Sequence, residues 1–107
     1  MTARRILDRL RGGWRPTDND LADAAVIRQW RLLSTRPGPY VLQGRVGGRR
    51  VSTIVIALDS ASGWARAPGH WLILGPRSAD LQRVVSEAEI MSKAADWADR
   101  QLDDADE

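Results

Sequence analysis

The sequence predicts an α+β fold: a four-stranded antiparallel β-meander with two N-terminal helices and one long C-terminal helix packed on it. Three observations carry this. Apolar residues recur at helical spacing up to about residue 29 and again after residue 78, and they alternate in between. The connections between the extended runs are short and rich in Gly and Pro, which suits antiparallel neighbours. A chain of 107 residues, 43% hydrophobic with five Trp, can build one core and not two, so residues 1–107 are expected to form a single domain.

The elements follow in order. Thr2 can cap a helix over residues 3–11 whose apolar stripe is Ile6, Leu7 and Leu10, and Gly12-Gly13 ends it. Thr17 is placed to cap a second helix, with Asp20 three residues on completing a capping box. Its inward residues are Leu21, Ala24 and Ala25, and it is expected to fray by Gln29, closing a helical part over residues 1–29. The meander spans residues 30–75. Its strands are read at 30–34, 40–46, 50–59 and 64–74, with turns at Arg36-Pro37-Gly38-Pro39, at Gly47-Gly48 and at Ser60–Gly63. Pro68-Gly69 interrupts the last strand and suggests a bulge or an edge. After Gly75-Pro76, Ser78 or Asp80 can cap a helix over residues 78–102, and the acidic tail 103–107 is expected to fray. The expected core is Ile6, Leu10, Leu21, Trp30, Leu32, Ile54, Ile56, Leu58, Leu72, Leu74, Val84, Val85 and Met91.

The last helix has two apolar faces. Counting 100° per residue from Leu81, Val84, Val85, Ala88, Met91, Ala95, Ala98 and Leu102 form a core-facing stripe. Ile90, Ala94 and Trp97 fall on the other side, where a helix lying on a sheet is normally polar. They predict a second buried contact: a homodimer through this helix, another partner, or the N-terminal helices of the same chain.

Chemistry-bearing patterns are sparse. Without Cys and with one His, thiol catalysis, disulfides and a structural zinc site are excluded, and no metal or cofactor is expected. His70 could complete a Ser-His-Asp arrangement with Ser52 or Thr53 and Asp59, yet no nucleophile-elbow motif surrounds either hydroxyl. A small hydrolase centred on His70 is therefore the weakest functional reading, and catalytic residues are not assigned. Gly44–Gly48 lacks the Lys-Ser/Thr of a phosphate loop, and Asp18, Asp20 and Asp23 fit helix capping better than a calcium loop. No apolar block follows the N-terminal arginines and no run is long enough to span a bilayer, which places the expected location in the cytoplasm.

Charge is the stronger signal. The formal net charge is +2, but residues 1–79 carry 13 Arg against 5 Asp, leaving +8, while residues 80–107 carry −6. Arg4, Arg5, Arg9, Arg11 and Arg15 cluster around Trp14, and Arg45, Arg49 and Arg50 cluster on one hairpin near Tyr40. Arginine with interleaved aromatics suits phosphate neutralisation and base stacking, so these eight are the candidate contacts to nucleic acid or another partner. Glu87, Glu89, Asp96, Asp99 and Asp103 form a candidate acidic face, able to pair with the Arg-rich helix or to mimic nucleic acid toward another protein.

The stretches 14–24 (Trp14-Arg15-Pro16-Thr17-Asp18-Asn19-Asp20-Leu21) and 52–75 (with Gly63-Trp64-Ala65-Arg66-Ala67 and His70-Trp71-Leu72-Ile73-Leu74-Gly75) together resemble a family of small uncharacterised bacterial and prophage proteins, a domain of unknown function. The likeness spans roughly residues 3–76 and implies no activity. In size and opposed charge the chain is also similar, at the level of class, to the anti-CRISPR proteins. That likeness implies a non-enzymatic inhibitor, carried by a phage or mobile element, that binds a host nucleoprotein complex such as a CRISPR effector. The alternative is an accessory protein that binds nucleic acid directly through its Arg-rich face.

Overall fold

The computed structural model describes residues 3–35, 38–78 and 86–105, the last five by their helical backbone. The elements are α1 (Ala3–Arg11), α2 (Asp18–Leu21), β1 (Ala25–Leu33), β2 (Val41–Val46), β3 (Arg49–Ile54), β4 (Ala57–Asp59), β5 (Trp64–Arg66), β6 (Trp71–Leu74) and α3 (Glu87–Ala105). The α+β class holds. The expected four-stranded antiparallel sheet is instead a six-stranded mixed sheet in the order β3-β2-β1-β6-β5-β4. The pairs β1–β2, β2–β3, β4–β5 and β5–β6 are antiparallel, as short connections require, and β1 pairs β6 in parallel.

Two of the expected strands are each divided. The run read at 50–59 breaks at Val55-Ile56, where Val55 N–H donates to Tyr40 and Ile56 N–H to Arg66 instead of continuing one ladder. The run read at 64–74 breaks at Pro68-Gly69, where Ala67 N–H donates to the His70 carbonyl and the chain reverses. A hairpin turn, not a bulge, is the consequence of this Pro. The Gly47-Gly48 turn is as expected: both residues have positive φ, 57° and 81°, and join Val46 to Arg49 across the hairpin.

The two-residue break at Val55-Ile56 shapes the whole sheet. β3 and β4 are its opposite edges, yet only those two residues separate them. At about 3.8 Å per residue, so short a link spans both edges only if the sheet curls round on itself. The curl creates an inner and an outer face. Ile27, Trp30, Tyr40, Leu42, Val55, Leu58, Ala65, Leu72 and Ile90 form the inner cluster. Outside, Ile6, Leu7 and Leu10 of α1 pack with Ile56, Ala57, Trp64, Ala94 and Ala95.

α2 has its expected cap, with Asp20 N–H donating to the Thr17 hydroxyl and the Asp20 carboxylate accepting from Thr17 N–H, but it is a single turn. The chain is already extended at Ala25, five residues before the expected start of the first strand. The reason is a bulge. Arg28 pairs with Arg45 and Arg31 with Gln43, so three steps along β1 match two along β2. Gln29 absorbs the extra residue in the left-handed region, at φ 50°. The inward residues Ile27, Trp30 and Leu32 are therefore spaced three and two apart, which hides the strand alternation.

Most of the expected core is buried: Ile6, Leu10, Trp30, Ile56, Leu58 and Leu72 fully, with Leu21, Leu32, Ile54, Leu74 and Met91 half-buried against them. Val84 and Val85 lie outside the described residues. Ser78 does not cap α3; its N–H donates to Trp30 O, prolonging the extended chain beside β1. Ser86 caps α3 instead, its hydroxyl accepting from Glu89 N–H at 3.1 Å, and the helix continues to Ala105, beyond its expected end at residue 102. No helix among the described residues is long and apolar enough to cross a membrane.

Candidate functional site

The site is built on the outer face of β1–β3. Register places Arg28, Arg45 and Arg50 directly opposite one another on three neighbouring strands. The next row along is Arg31, Gln43 and Ser52, and the third is Leu33, Val41 and Ile54. Alternation puts all three rows on one face. Without the bulge at Gln29, Arg28 and Arg31 would point to opposite faces; the extra residue brings them to the same one.

Opposed like charges on adjacent strands destabilise a sheet by a few tenths of a kcal/mol or more per pair. Residues 24–58 contain six Arg and neither Asp nor Glu, so the three strands carry no carboxylate of their own to offset this. A shallow cavity of about 420 Å³ opens on this face, lined by Gln29, Arg31, Gln43, Gly44, Arg45, Arg50 and Ser78. Arg31 is held there: its Nε and Nη2 both donate to Gln43 Oε1, at 3.1 and 2.9 Å. Gln29 N–H donates to Pro76 O at 2.6 Å, which ties the bulge to the chain beyond β6. Gly44 is obligatory on the reverse side, since a Cβ there would lie 2.7 Å from the Ile27 side chain and 2.8 Å from Arg28 O.

The structure thus unites Arg45 and Arg50 of the predicted hairpin cluster and separates Arg49, which pairs with Val46 on the other side of the pleat. Sequence reading missed Arg28, Arg31, Gln29, Gln43 and Ser78, because the bulge disguises their common face. The clearest signal available was the acid-free stretch itself.

The predicted N-terminal cluster is arranged differently. Arg4 forms ion pairs with Asp8, at 3.3 Å, and with Asp99 of α3. Arg9 lies over the Trp14 ring at 4.1 Å from its centroid, and Arg15 donates to the Leu10 and Trp14 carbonyls. Arg5 and Arg11 are exposed on α1.

The acidic face is likewise partly engaged by the chain itself. Tyr40 donates its hydroxyl to Glu89, and Asp99 pairs with Arg4. Glu87 is raised by burial and by the adjacent Asp59 carboxylate, with Arg15 opposing weakly. Asp59 is raised by burial but lowered more by hydrogen bonds from Ser62 and Glu87, and it ends below the ordinary range. Asp96 is exposed, and the Asp103 side chain lies outside the described residues.

Ile90 and Ala94 are corrected outright as interface residues. Both have 0% exposure, Ile90 in the inner cluster and Ala94 in the outer, so the second face of α3 is covered by its own chain. Trp97 is half-buried against the outer cluster.

His70 is exposed, in the turn before β6. Asp59 pairs with Trp64 and Ala57 with Arg66, which in turn faces Trp71, so Asp59 and His70 are offset by roughly 10 Å along the strands and by roughly a further 10 Å across two strand spacings. The proposed triad is not assembled. Arg66, by contrast, is only 7% exposed; its guanidinium lies 4.9 Å from the Trp71 centroid, its Nε has no hydrogen-bond partner, and burial lowers its pKa. Trp71 also contacts Trp14 and Trp64, at 6.0 and 5.6 Å between ring centroids.

No family model, curated protein or solved structure matches this chain.

Proposed function

We propose that this chain is a non-enzymatic binding protein that grips the phosphate backbone of nucleic acid, free or within a nucleoprotein complex, through Arg28, Arg31, Arg45 and Arg50. The observation that carries this reading is the row of three opposed arginines, with no carboxylate in the surrounding stretch. A polyanion laid across the row relieves the mutual repulsion that the fold otherwise sustains. Guanidinium forks bind phosphate oxygens in pairs, while Gln29, Gln43 and Ser78 supply amide and hydroxyl groups that do not titrate near neutral pH. Such a lining suits holding a ligand more than moving protons.

An inhibitor of a host nucleoprotein complex, of the anti-CRISPR-like kind, is the more specific form of the same reading. It would engage the complex through this face, with the exposed Asp96 on α3 available to a basic protein surface. The test is retention of nucleic acid at low salt by the wild-type chain and by the triple variant R28E/R45E/R50E. The reading expects retention by the wild type and none by the variant. Binding of a purified nucleoprotein complex that survives charge reversal would overturn it in favour of a protein contact elsewhere.

A further inference from the structure

We infer that the preferred ligand of this face is duplex nucleic acid, bound through its backbone without regard to sequence, rather than a single strand. The inference rests on the reading above and narrows it. Three features of the face point the same way.

The first is its lining. Proteins that hold single strands present aromatic rings on which unpaired bases stack. Neither the three rows nor the cavity contains one. Trp30, Tyr40 and Trp64 are buried, and Trp14, Trp71 and Trp97 are half-buried against the outer cluster. The polar groups of the site are guanidinium, amide and hydroxyl, which suit contacts to phosphate and sugar.

The second is its shape. Single strands are tracked by a groove. This face is the outside of a curled sheet whose inner side is filled by the apolar cluster, and its cavity is shallow. A broad face with only a shallow depression meets a rod better than it encloses a flexible strand.

The third is charge spacing. With strands about 4.8 Å apart, Arg28, Arg45 and Arg50 cover roughly 10 Å across the sheet, and Arg31 extends the patch along β1. A duplex carries a charge about every 1.7 Å of its axis, twice the density of one of its strands. A duplex therefore presents a denser field of negative charge to a compact cationic patch.

The test is fluorescence anisotropy of the full-length chain with a short labelled DNA duplex and with each of its separated strands, over a salt series. The duplex should bind at least about tenfold more tightly than either strand, with little change when its base sequence is scrambled. Four arginines predict a slope of log K against log salt near −3.6, and R45Q or R50Q should each make it shallower by about 0.9. Thermal melting of the same variants confirms that they are folded. If a separated strand binds as tightly as the duplex, the inference is overturned while the broader reading stands. If neither form binds, the broader reading falls with it. If duplex binding is unchanged in R45Q and R50Q, the face is not the site.

Discussion

Arg4 on α1 sits between two carboxylates, Asp8 and Asp99, whereas Arg45 on β2 sits between two further arginines. Both belong to one Arg-rich composition, and the sequence marks them equally. Their physical situations are opposite. On α1 the cations are used by the fold: Arg4 ties α1 to α3, Arg9 covers Trp14, and Arg15 closes the turn after the helix by donating to two carbonyls. On β1–β3, Arg28, Arg45 and Arg50 are gathered opposite one another, and those strands carry no carboxylate of their own. Clustered arginine thus carries functional meaning only when its local counter-charges are known.

Gly44 holds the arginine row in register most directly. A Val there drives its Cβ into Ile27 and the Arg28 carbonyl, so β1 must move away from β2 and the bulge with it. The expected loss is about 3 kcal/mol in denaturant melts, and the Arg row should lose its register along with stability. Arg66 tests a cation of a third kind, buried with no acceptor for its Nε–H. Replacing it by Met keeps the stem against Trp71 and removes a desolvated charge, and should stabilise the protein by about 1 kcal/mol. A loss of similar size would mean that the Arg66–Trp71 contact outweighs desolvation.

A matched pair addresses the comparison directly. Arg45→Thr removes a like-charge contact and should raise stability by about 0.5 kcal/mol. Arg4→Ala removes two partly exposed ion pairs and should lower it by about the same amount. Melting both at low and high salt shows whether the signs differ and whether both effects shrink with screening. Equal signs would erase the distinction between the two regions.

The smallest effect concerns Glu87 and Asp59, where the acidic helix meets the sheet. Burial, then the Asp59 carboxylate, pushes Glu87 above its ordinary 4.5. Its contribution to stability is therefore full below the unfolded value and lost as pH rises through the folded one. Asp59 runs the other way. Burial opposes its ionisation, but the Ser62 and Glu87 hydrogen bonds prevail, so its contribution is lost as pH falls through its depressed value. Glu87→Gln should therefore gain on the wild type only as pH rises above the ordinary Glu range, while both share the acid limb. Thermal melts at acid and neutral pH separate the two.

How much was legible differs between elements for physical reasons. α1 is legible almost to the residue, because Ile6, Leu7 and Leu10 form a clean stripe and Gly12-Gly13 ends it. The Gly47-Gly48 hairpin was read for the same kind of reason: a two-residue turn with positive φ needs Gly. β1 was misplaced because its bulge converts strand alternation into a spacing that imitates a helix. The interruption at Pro68-Gly69 is legible, though not the reversal it produces, whereas the division at Val55-Ile56 is hidden because the change of sheet edge occurs within a continuous apolar run. Of the site, Arg45 and Arg50 were found because the hairpin makes them neighbours. Arg28 and Arg31 were not, because their partnership depends on register with β2.

What the sequence alone determined is therefore local: the α+β class, the first helix, the Thr17 cap, the Gly-Gly turn and the uneven distribution of charge. These depend on contacts within a few residues, so the chain encodes them directly. The tertiary structure alone decided the curl of the sheet, the enclosure of Ile90 and Ala94, and which arginines face a carboxylate and which face one another. Each of those depends on strand register and sheet closure between distant residues, where a one-residue slip sends a side chain to the opposite face.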